Sequence, residues 1–363
     1  MELTDKQYEA ISLILDFIND PSRRVFILDG FAGTGKSTTL AYLIDELKDS
    51  MNINIITYTG KASLVLQSKG VEATTIHSFL YNYKEGPKGE PIYQLKESYN
   101  TDLIIVDESS FISDNLYRDL LVPGAKIIYI GDSYQLSLNR TNKLDKYDYQ
   151  LNEVLRFALE SRIMKLATEI REKNRCSIFK TIQRMPITNC KGYDVIICYT
   201  NKIRAEINQM WRKRVLNIHT HHPQQGEKII FLQNFIPTGV INGLIIDLEE
   251  KPTPILCIDD RKPPIYFYKG KYLYFGEKAP YWVLVTNPGT PNSRWIPQSK
   301  RTVESSKLYP VDFAYCLTGH KAQGSEWDKV LVLGERLDDP HFMYTSVTRA
   351  RKEVDIVLKI VEE

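Results

Sequence analysis

The run Gly30-Phe31-Ala32-Gly33-Thr34-Gly35-Lys36-Ser37 fits the pattern G-x-x-x-x-G-K-[ST], and each residue type in it has a phosphate-binding task. Glycines let successive backbone N–H groups converge on an anion at a helix start. A lysine adds a cation near the β- and γ-oxygens of a triphosphate, and a serine hydroxyl can ligate magnesium. A chance glycine-rich turn has no need of a buried strand before it and a helix after it. Both are present here: Val25-Phe26-Ile27-Leu28 is a short apolar run, and Thr38 to Leu47 reads as helical.

Two carboxylates, Asp107 and Glu108, follow a second apolar run, Leu103-Ile104-Ile105-Val106. Such a strand ends at the edge where ligands bind in open α/β sheets. There Asp107 would hold magnesium and Glu108 would polarise the water that attacks a γ-phosphate, which implies hydrolysis rather than mere holding of a nucleotide. Without the glycine-rich loop upstream, the same pair reads as a solvated strand end. A third run, Ile127-Ile128-Tyr129-Ile130, leads into Gly131-Asp132-Ser133-Tyr134-Gln135-Leu136. Gln135 fits a γ-phosphate sensor and equally an ordinary polar turn. Near the N-terminus Thr4-Asp5-Lys6-Gln7 fits a capping box, so Gln7 has a structural task of its own. The helix it opens carries Ala10, Ile11, Ile14, Leu15 and Ile18 on one face.

These groups need a scaffold, and the chain supplies two. Its 363 residues amount to two domains at roughly 100 to 200 residues each. Short apolar runs alternate with helical stretches from Val25 to Ile130, with a further run at Ile53-Asn54-Ile55-Ile56. The pattern returns at Val195-Ile196-Ile197-Cys198, Phe313 to Leu317, Val330 to Leu333 and Val354 to Leu358. Such runs read as buried parallel strands, giving two α/β layers. Between Gly226 and Arg301 the text changes to strands and turns: Ile229 to Leu232, Asn242-Gly243 before Leu244-Ile245-Ile246, Ile265 to Phe275, and Tyr281 to Val285. A smaller insertion from Tyr81 to Asn100, with a turn-rich centre, reads as a projecting hairpin.

Hydrophobic residues at 43% and charged residues at 25% exclude global disorder. The net charge of +2 hides a regional excess: residues 261 to 301 hold eight basic side chains against Glu277 alone, interleaved with aromatics such as Tyr268, Tyr272, Trp282 and Trp295. Basic groups that track phosphates and rings that stack on bases make a surface for single-stranded nucleic acid, although part of such an aromatic set belongs to a core. Five cysteines without a C-x-x-C pair suit reduced thiols and a cytoplasmic location. No stretch approaches the length of a membrane span, and the start from Met1 to Asp5 lacks a basic region followed by an apolar run, so a soluble, unexported protein is expected. His219, His221 and His222 cluster without cysteine or carboxylate partners at ligand spacing and read as a solvated loop.

In this order, the segments resemble superfamily 1 DNA helicases, most nearly the RecD-like and Dda-like 5′-to-3′ branch (superfamily 1B), over nearly the whole chain. Besides the loop and carboxylates above, Tyr58-Thr59-Gly60-Lys61-Ala62 looks like motif Ia and Thr75-Ile76-His77-Ser78-Phe79 like motif Ib. Leu151 to Arg156, Leu317-Thr318-Gly319-His320-Lys321-Ala322-Gln323-Gly324 and Tyr344 to Arg351 complete the match. The sequence departs from the family at Ser133 and Ser137, where proline is common, and at Phe157, where glutamine is common.

The resemblance implies a P-loop α/β fold with two RecA-like domains sharing one nucleotide. Domain 1A would span residues 1–158, with 81–100 as a small 1B hairpin that acts as a pin. Domain 2A would span 159–225 and 302–363, and 226–301 would form an SH3-like 2B insertion. It implies ATP and Mg2+ as cofactors. Gln7, Gly33, Thr34, Gly35, Lys36, Ser37, Thr38, Gly324 and Glu326 would contact ATP, Ser37 and Asp107 would hold the metal, and Glu108, Gln135, Arg156 and Arg349 would join Lys36 in catalysis, the two arginines as fingers on the γ-phosphate. Thr59, Lys61, Thr75, His77 and Phe79 would grip DNA on one side, and Thr318 and His320 on the other. Phe79 fits base stacking, and also a place in the core.

The implied activity is ATP-dependent 5′-to-3′ translocation on single-stranded DNA with duplex unwinding, in replication, recombination or repair. Its partners would be single-stranded DNA and single–double-strand junctions, together with single-strand-binding or replication proteins, and no membrane. The compact length suggests a reduced, phage-encoded member acting in host cytoplasm. Competing readings are a DNA-stimulated translocase that remodels nucleoprotein or runs 3′-to-5′, and a nucleotide-gated binding module without turnover. Glu108 and Arg349 count against the last.

Overall fold

The computed structural model describes residues 3–68, 70–85, 91–137, 141–154, 161–173, 181–220, 223–232, 242–248, 253–255, 265–274, 277–285 and 311–362. The chain divides into two compact units, Met1–Asn174 and Arg175–Glu363.

The first unit runs α1 (Asp5–Asn19), β1 (Val25–Gly30), α2 (Lys36–Leu47), β2 (Ile53–Thr57), α3 (Gly60–Ser68), β3 (Ala73–Thr75), α4 (Ile76–Leu80), β4 (Tyr81–Glu85), β5 (Pro91–Leu95), β6 (Leu103–Asp107), α5 (Asp114–Leu120), β7 (Lys126–Gly131), β8 (Tyr149–Leu151) and α6 (Arg162–Lys173). Helix α1 starts where the capping box places it. The Thr4 hydroxyl accepts from the Gln7 N–H at 3.3 Å, and Gln7 Oε1 accepts from the Thr4 N–H at 2.9 Å. Six parallel strands stand in the order β3-β2-β6-β7-β1-β8.

Because strand side chains alternate, each β-branched run feeds two cores. Phe26, Leu28, Ile105 and Ile128 pack with Ala10, Ile14, Leu40 and Leu43 of α1 and α2, whereas Ile27, Ile104, Val106 and Ile127 pack with Ile76, Leu80, Leu116 and Leu120 of α4 and α5. Both faces are covered, and parallel pairing gathers Gly30, Thr57, Asp107 and Gly131 at one edge of the sheet. The hairpin β4–β5 pairs Tyr83 with Tyr93 in antiparallel register. Helix α6 belongs to the first unit. Here α6 meets it through the Tyr134 hydroxyl, which donates to the Ile170 carbonyl at 3.4 Å.

The second unit contains β9 (Ile182–Pro186), β10 (Val195–Cys198), α7 (Asn201–Met210), β11 (Lys228–Phe231), β12 (Ile245–Asp247), β13 (Thr253–Ile255), β14 (Ile265–Tyr274), β15 (Glu277–Val285), β16 (Val311–Phe313), β17 (Cys316–Thr318), α8 (Gly319–Ala322), β18 (Trp327–Leu333), α9 (Pro340–Val347) and β19 (Ala350–Val361). Its main sheet is parallel, in the order β17-β10-β18-β19-β9. Two antiparallel sheets stand beside it, β12-β11-β16 and β13-β14-β15; β11, β12, β14 and β15 fall on runs expected as strands between 226 and 301.

The run from Phe313 to Leu317, expected as one parallel strand, is two strands in different sheets: Phe313 pairs with Ile229 and Cys316 with Ile196. The fully buried Asn208 of α7 holds the break, donating from Nδ2 to the Phe313 and Cys316 carbonyls (3.1 Å each) and accepting the Cys316 N–H at 2.8 Å. A side-chain amide thus replaces the ladder bonds that a continuous strand would make.

Two buried ion pairs fix the base of this β-rich part. Arg204 donates to Asp312 at 2.5 Å, and Arg212 binds Glu227 through two nitrogens at 2.7 and 3.0 Å while lying 4.0 Å from the Phe313 ring centre. Among the described residues, no helix is long and apolar enough to cross a membrane. Cys190, Cys198 and Cys316 are free and buried, and Cys176 and Cys257 lie outside the described residues. His219 is exposed, with a ring nitrogen 3.1 Å from Asn217 Oδ1, and His221 and His222 lie outside the described residues.

Candidate nucleotide and nucleic-acid site

The glycine-rich loop joins β1 to α2, as phosphate binding requires. Gly33 and Gly35 take φ of 77° and 82°, a left-handed backbone that costs glycine little. Gly30 is glycine for space: a Cβ there would sit 3.0 Å from Lys36 Cγ. Lys36 opens α2 and donates from Nζ to the Gly30 carbonyl at 2.5 Å and the Phe31 carbonyl at 3.1 Å. Thr34 is buried and donates to the Phe31 carbonyl at 2.8 Å. Ser37 is exposed in the first turn, next to half-buried Thr38.

Gln7 is 2% exposed, and its Nε2 donates to the carbonyls of Thr34 (3.5 Å) and Gly35 (3.2 Å). Its amide therefore ties the start of α1 to the loop.

At the end of β6, Glu108 lies at φ 56° and ψ 46°. A non-glycine residue in that region costs roughly 1 to 2 kcal/mol, so the surrounding structure must hold it there. Its N–H donates to Asp107 Oδ1 at 2.9 Å. Ser109 follows in a short 3-10 turn, and its hydroxyl fills the space beside Gly131, where a Cβ would stand 2.4 Å from Ser109 Oγ. After β7, Gln135 donates from Nε2 to Asp132 Oδ2 at 3.1 Å. Thus Asp107 ends, and Lys36, Ser37, Glu108 and Gln135 follow, strands that finish at one edge of the first sheet.

The residues assigned to a DNA grip fall in both units. In the first, Thr59 accepts the Ala62 N–H at 3.2 Å as α3 begins. Half-buried Lys61 has its pKa pushed down to about 8 by loss of solvent, against an opposing pull from Glu108. The Thr75 hydroxyl caps α4, accepting from the Ser78 N–H at 3.1 Å. Burial holds the His77 pKa below the ordinary imidazole value, with the rings of Tyr81 and Tyr93 each 5.6 Å away. Phe79 is half-buried, its ring centre 5.6 Å from that of Tyr99.

In the second unit, buried Thr318 caps α8, and the pKa of His320 is lowered by burial against an opposing effect of Asp339. Gly324 takes φ 68°, and Glu326 is exposed. Arg349 is 8% exposed; its Nε donates to the Thr345 carbonyl at 3.1 Å and its Nη2 to Thr348 Oγ1 at 3.2 Å. Arg156 lies outside the described residues.

Two neighbours of the loop escape motif reading. Asp29, 4% exposed, accepts three hydrogen bonds just before Gly30. Arg171 of α6 lies 4.0 Å from the centre of the Phe31 ring. An acid at a strand end and an arginine in a helix carry no spacing signal that would have marked either one.

Comparison with known proteins matches two family domains to the chain. The AAA domain matches residues 2–186, and the UvrD-like helicase C-terminal domain matches residues 313–357. The ATP-dependent RecD2 DNA helicase of Deinococcus radiodurans is 25% identical over 373 residues, covering 90% of this chain and 46% of that protein. The chain therefore spans less than half the length of that relative. A Pif1 helicase structure concerned with unwinding at forked duplex DNA superposes with a TM-score of 0.59 at 18% identity, covering 100% of this chain and 94% of the other. The Bacteroides Pif1 helicase in complex with ADP-AlF3 and single-stranded DNA gives 0.55 at 18%, covering 99% and 93%. These structures share the fold of two RecA-like domains. With its first half matched by the domain that carries the phosphate loop, and a UvrD-like helicase C-terminal domain matched after it, the chain belongs to the AAA-domain family.

Proposed function

We propose that the chain is an ATP-dependent DNA helicase that moves 5′-to-3′ on single-stranded DNA and unwinds duplex. The observation that carries this reading is Glu108, held in a left-handed backbone one residue beyond a candidate metal ligand, at the sheet edge that also bears the phosphate loop. Strain of this kind gathers at functional sites, where surrounding structure over-determines it.

In this reading the loop amides from Gly33 to Thr38 and the Lys36 ammonium bind the phosphates, swapping the carbonyl contacts of Nζ for phosphate oxygens. Gln7, Gly324 and Glu326 complete the nucleotide contacts. The Ser37 hydroxyl and the Asp107 carboxylate are hard oxygen donors that suit Mg2+, and the ion, when bound, supplies charge neutralisation at the phosphates. Glu108 orients the attacking water and takes its proton, Gln135 senses the γ-phosphate, and Arg349 and Arg156 are assigned to transition-state charge. Thr59, Lys61, Thr75, His77 and Phe79 form one DNA grip, and Thr318 and His320 the other. The β4–β5 hairpin is the pin, and the insertion with its basic, aromatic-rich sequence is an SH3-like single-strand surface.

The deciding experiment is unwinding of partial duplexes that carry a 5′ or a 3′ tail. Strand separation confined to 5′-tailed duplex supports the reading. Unwinding only from 3′ tails reverses the polarity, and DNA-stimulated hydrolysis without strand separation indicates a translocase. Binding without turnover would leave a nucleotide-gated module.

A further inference from the structure

We propose that Asp29 is a positioning residue for ATP hydrolysis, acting through Ser133 to fix the loop that carries Gln135. Asp29 is the last residue before Gly30 of the phosphate loop and is 4% exposed. A carboxylate so deep needs donors, because burying it without them is costly. It has three. The Ser133 N–H donates to Oδ1 at 2.7 Å, the Ser133 hydroxyl to Oδ2 at 2.8 Å, and Gln150 Nε2 to Oδ2 at 2.7 Å.

The placement of these donors gives the carboxylate its task. Backbone pairing between β1 and β7 ends at Asp29 opposite Gly131, so the ladder does not extend to the loop beyond. Two of the three bonds then come from a single loop residue, Ser133, which lies at the surface two positions before Gln135. Next to it, Asp132 holds the same loop from within, taking the Tyr134 N–H at 3.1 Å and Gln135 Nε2 at 3.1 Å. The phosphate loop and the Gln135 loop are therefore referenced to one buried carboxylate, which itself is directed away to Ser133 and Gln150. A proline at 133 would offer neither N–H nor hydroxyl, so this clamp depends on the serine found here.

The inference rests on the reading of Gln135 as a γ-phosphate sensor, and a double-mutant cycle separates the two. DNA-stimulated ATP hydrolysis of the full chain is measured with a single-stranded oligonucleotide for Asp29→Asn, Gln135→Ala, the double variant and Gln150→Met. Asp29→Asn is expected to lower kcat roughly 10- to 100-fold with KM for ATP within about 2-fold, since misplacement by an ångström costs up to about that factor. In the Gln135→Ala background it should have no further effect. Gln150→Met removes the donor that comes from β8 and not from the loop, and should leave kcat within about 2-fold.

Equal losses from Asp29→Asn in both backgrounds, a matching rise in KM, or an unchanged kcat would each overturn the proposal. If Gln135→Ala alone leaves kcat unchanged, the sensor reading fails and takes the proposal with it. Should Asp29→Asn not fold, Ser133→Ala enters the same cycle under the same criteria.

Discussion

Thr75 and Thr318 occupy matching local positions in the two units. Each ends a short strand, each caps the helix that follows with its hydroxyl, and each stands two residues before a histidine whose pKa burial lowers. Both histidines are thus biased toward the neutral form, which donates a hydrogen bond without adding a charge. Contacts through this pair of sites would add little to the salt dependence of DNA binding, which tracks the number of cations set against phosphates. His77→Lys should therefore steepen the slope of log affinity against log salt by about one charge's worth, measured by fluorescence anisotropy with a labelled oligonucleotide; an unchanged slope would remove His77 from the grip.

Lys61 makes the opposite prediction for pH. Its pKa of about 8 means that the side chain loses its charge as pH rises through 8, where an ordinary lysine would stay charged to about 10.5. A bound phosphate favours the charged form, so DNA affinity should be full below pH 7 and fall above 8, by about 10-fold at pH 9. Lys61→Arg, whose guanidinium does not titrate in this range, should flatten the profile. A wild-type profile that is already flat would exclude Lys61 from phosphate contact.

Lys36→Ala should reduce DNA-stimulated hydrolysis by at least about 100-fold, the scale for losing a charged phosphate or oxyanion donor. Among the described residues, the Lys36 ammonium bonds only to carbonyls of its own loop, so the thermal melting temperature should stay near the wild-type value. Hydrolysis at the wild-type rate would show that the site has been misplaced.

Glu108→Gln keeps shape and removes the base. Nucleotide and DNA binding should persist while turnover falls by roughly 100-fold or more. Loss of nucleotide binding instead would indicate that the carboxylate is structural.

Gly131→Ala would drive a methyl group into Ser109 Oγ, at 2.4 Å from the ideal Cβ. A cost of about 1 to 3 kcal/mol is expected from such overpacking, read as a lower urea midpoint. The pair Gly131→Ala with Ser109→Gly should regain most of it, and failure to recover would place the strain elsewhere.

The sequence makes the parallel strands legible because β-branched runs buried on both faces leave an unbroken apolar signature, and β10 spans Val195–Cys198 as expected. The phosphate loop is equally legible, since glycine spacing encodes backbone geometry directly. The division of the run Phe313 to Leu317 between two sheets is not, because it is imposed by Asn208, more than a hundred residues away in the chain. Asp29 is hidden for the same reason: its meaning lies in Ser133 and Gln150, brought beside it only by neighbouring strands. Burial at Lys61 is likewise a property of its surroundings, which no motif states.

The buried Arg212–Glu227 pair and the seam of β11 with β16 also define a graft point. Phe231 stands opposite Val311 in antiparallel register, so the polypeptide departs and returns across a gap of about 5 Å. A segment attached in that way can be exchanged for another of different size, provided its own ends meet. The parallel sheet would then keep its architecture while the cargo at its margin is free to diversify.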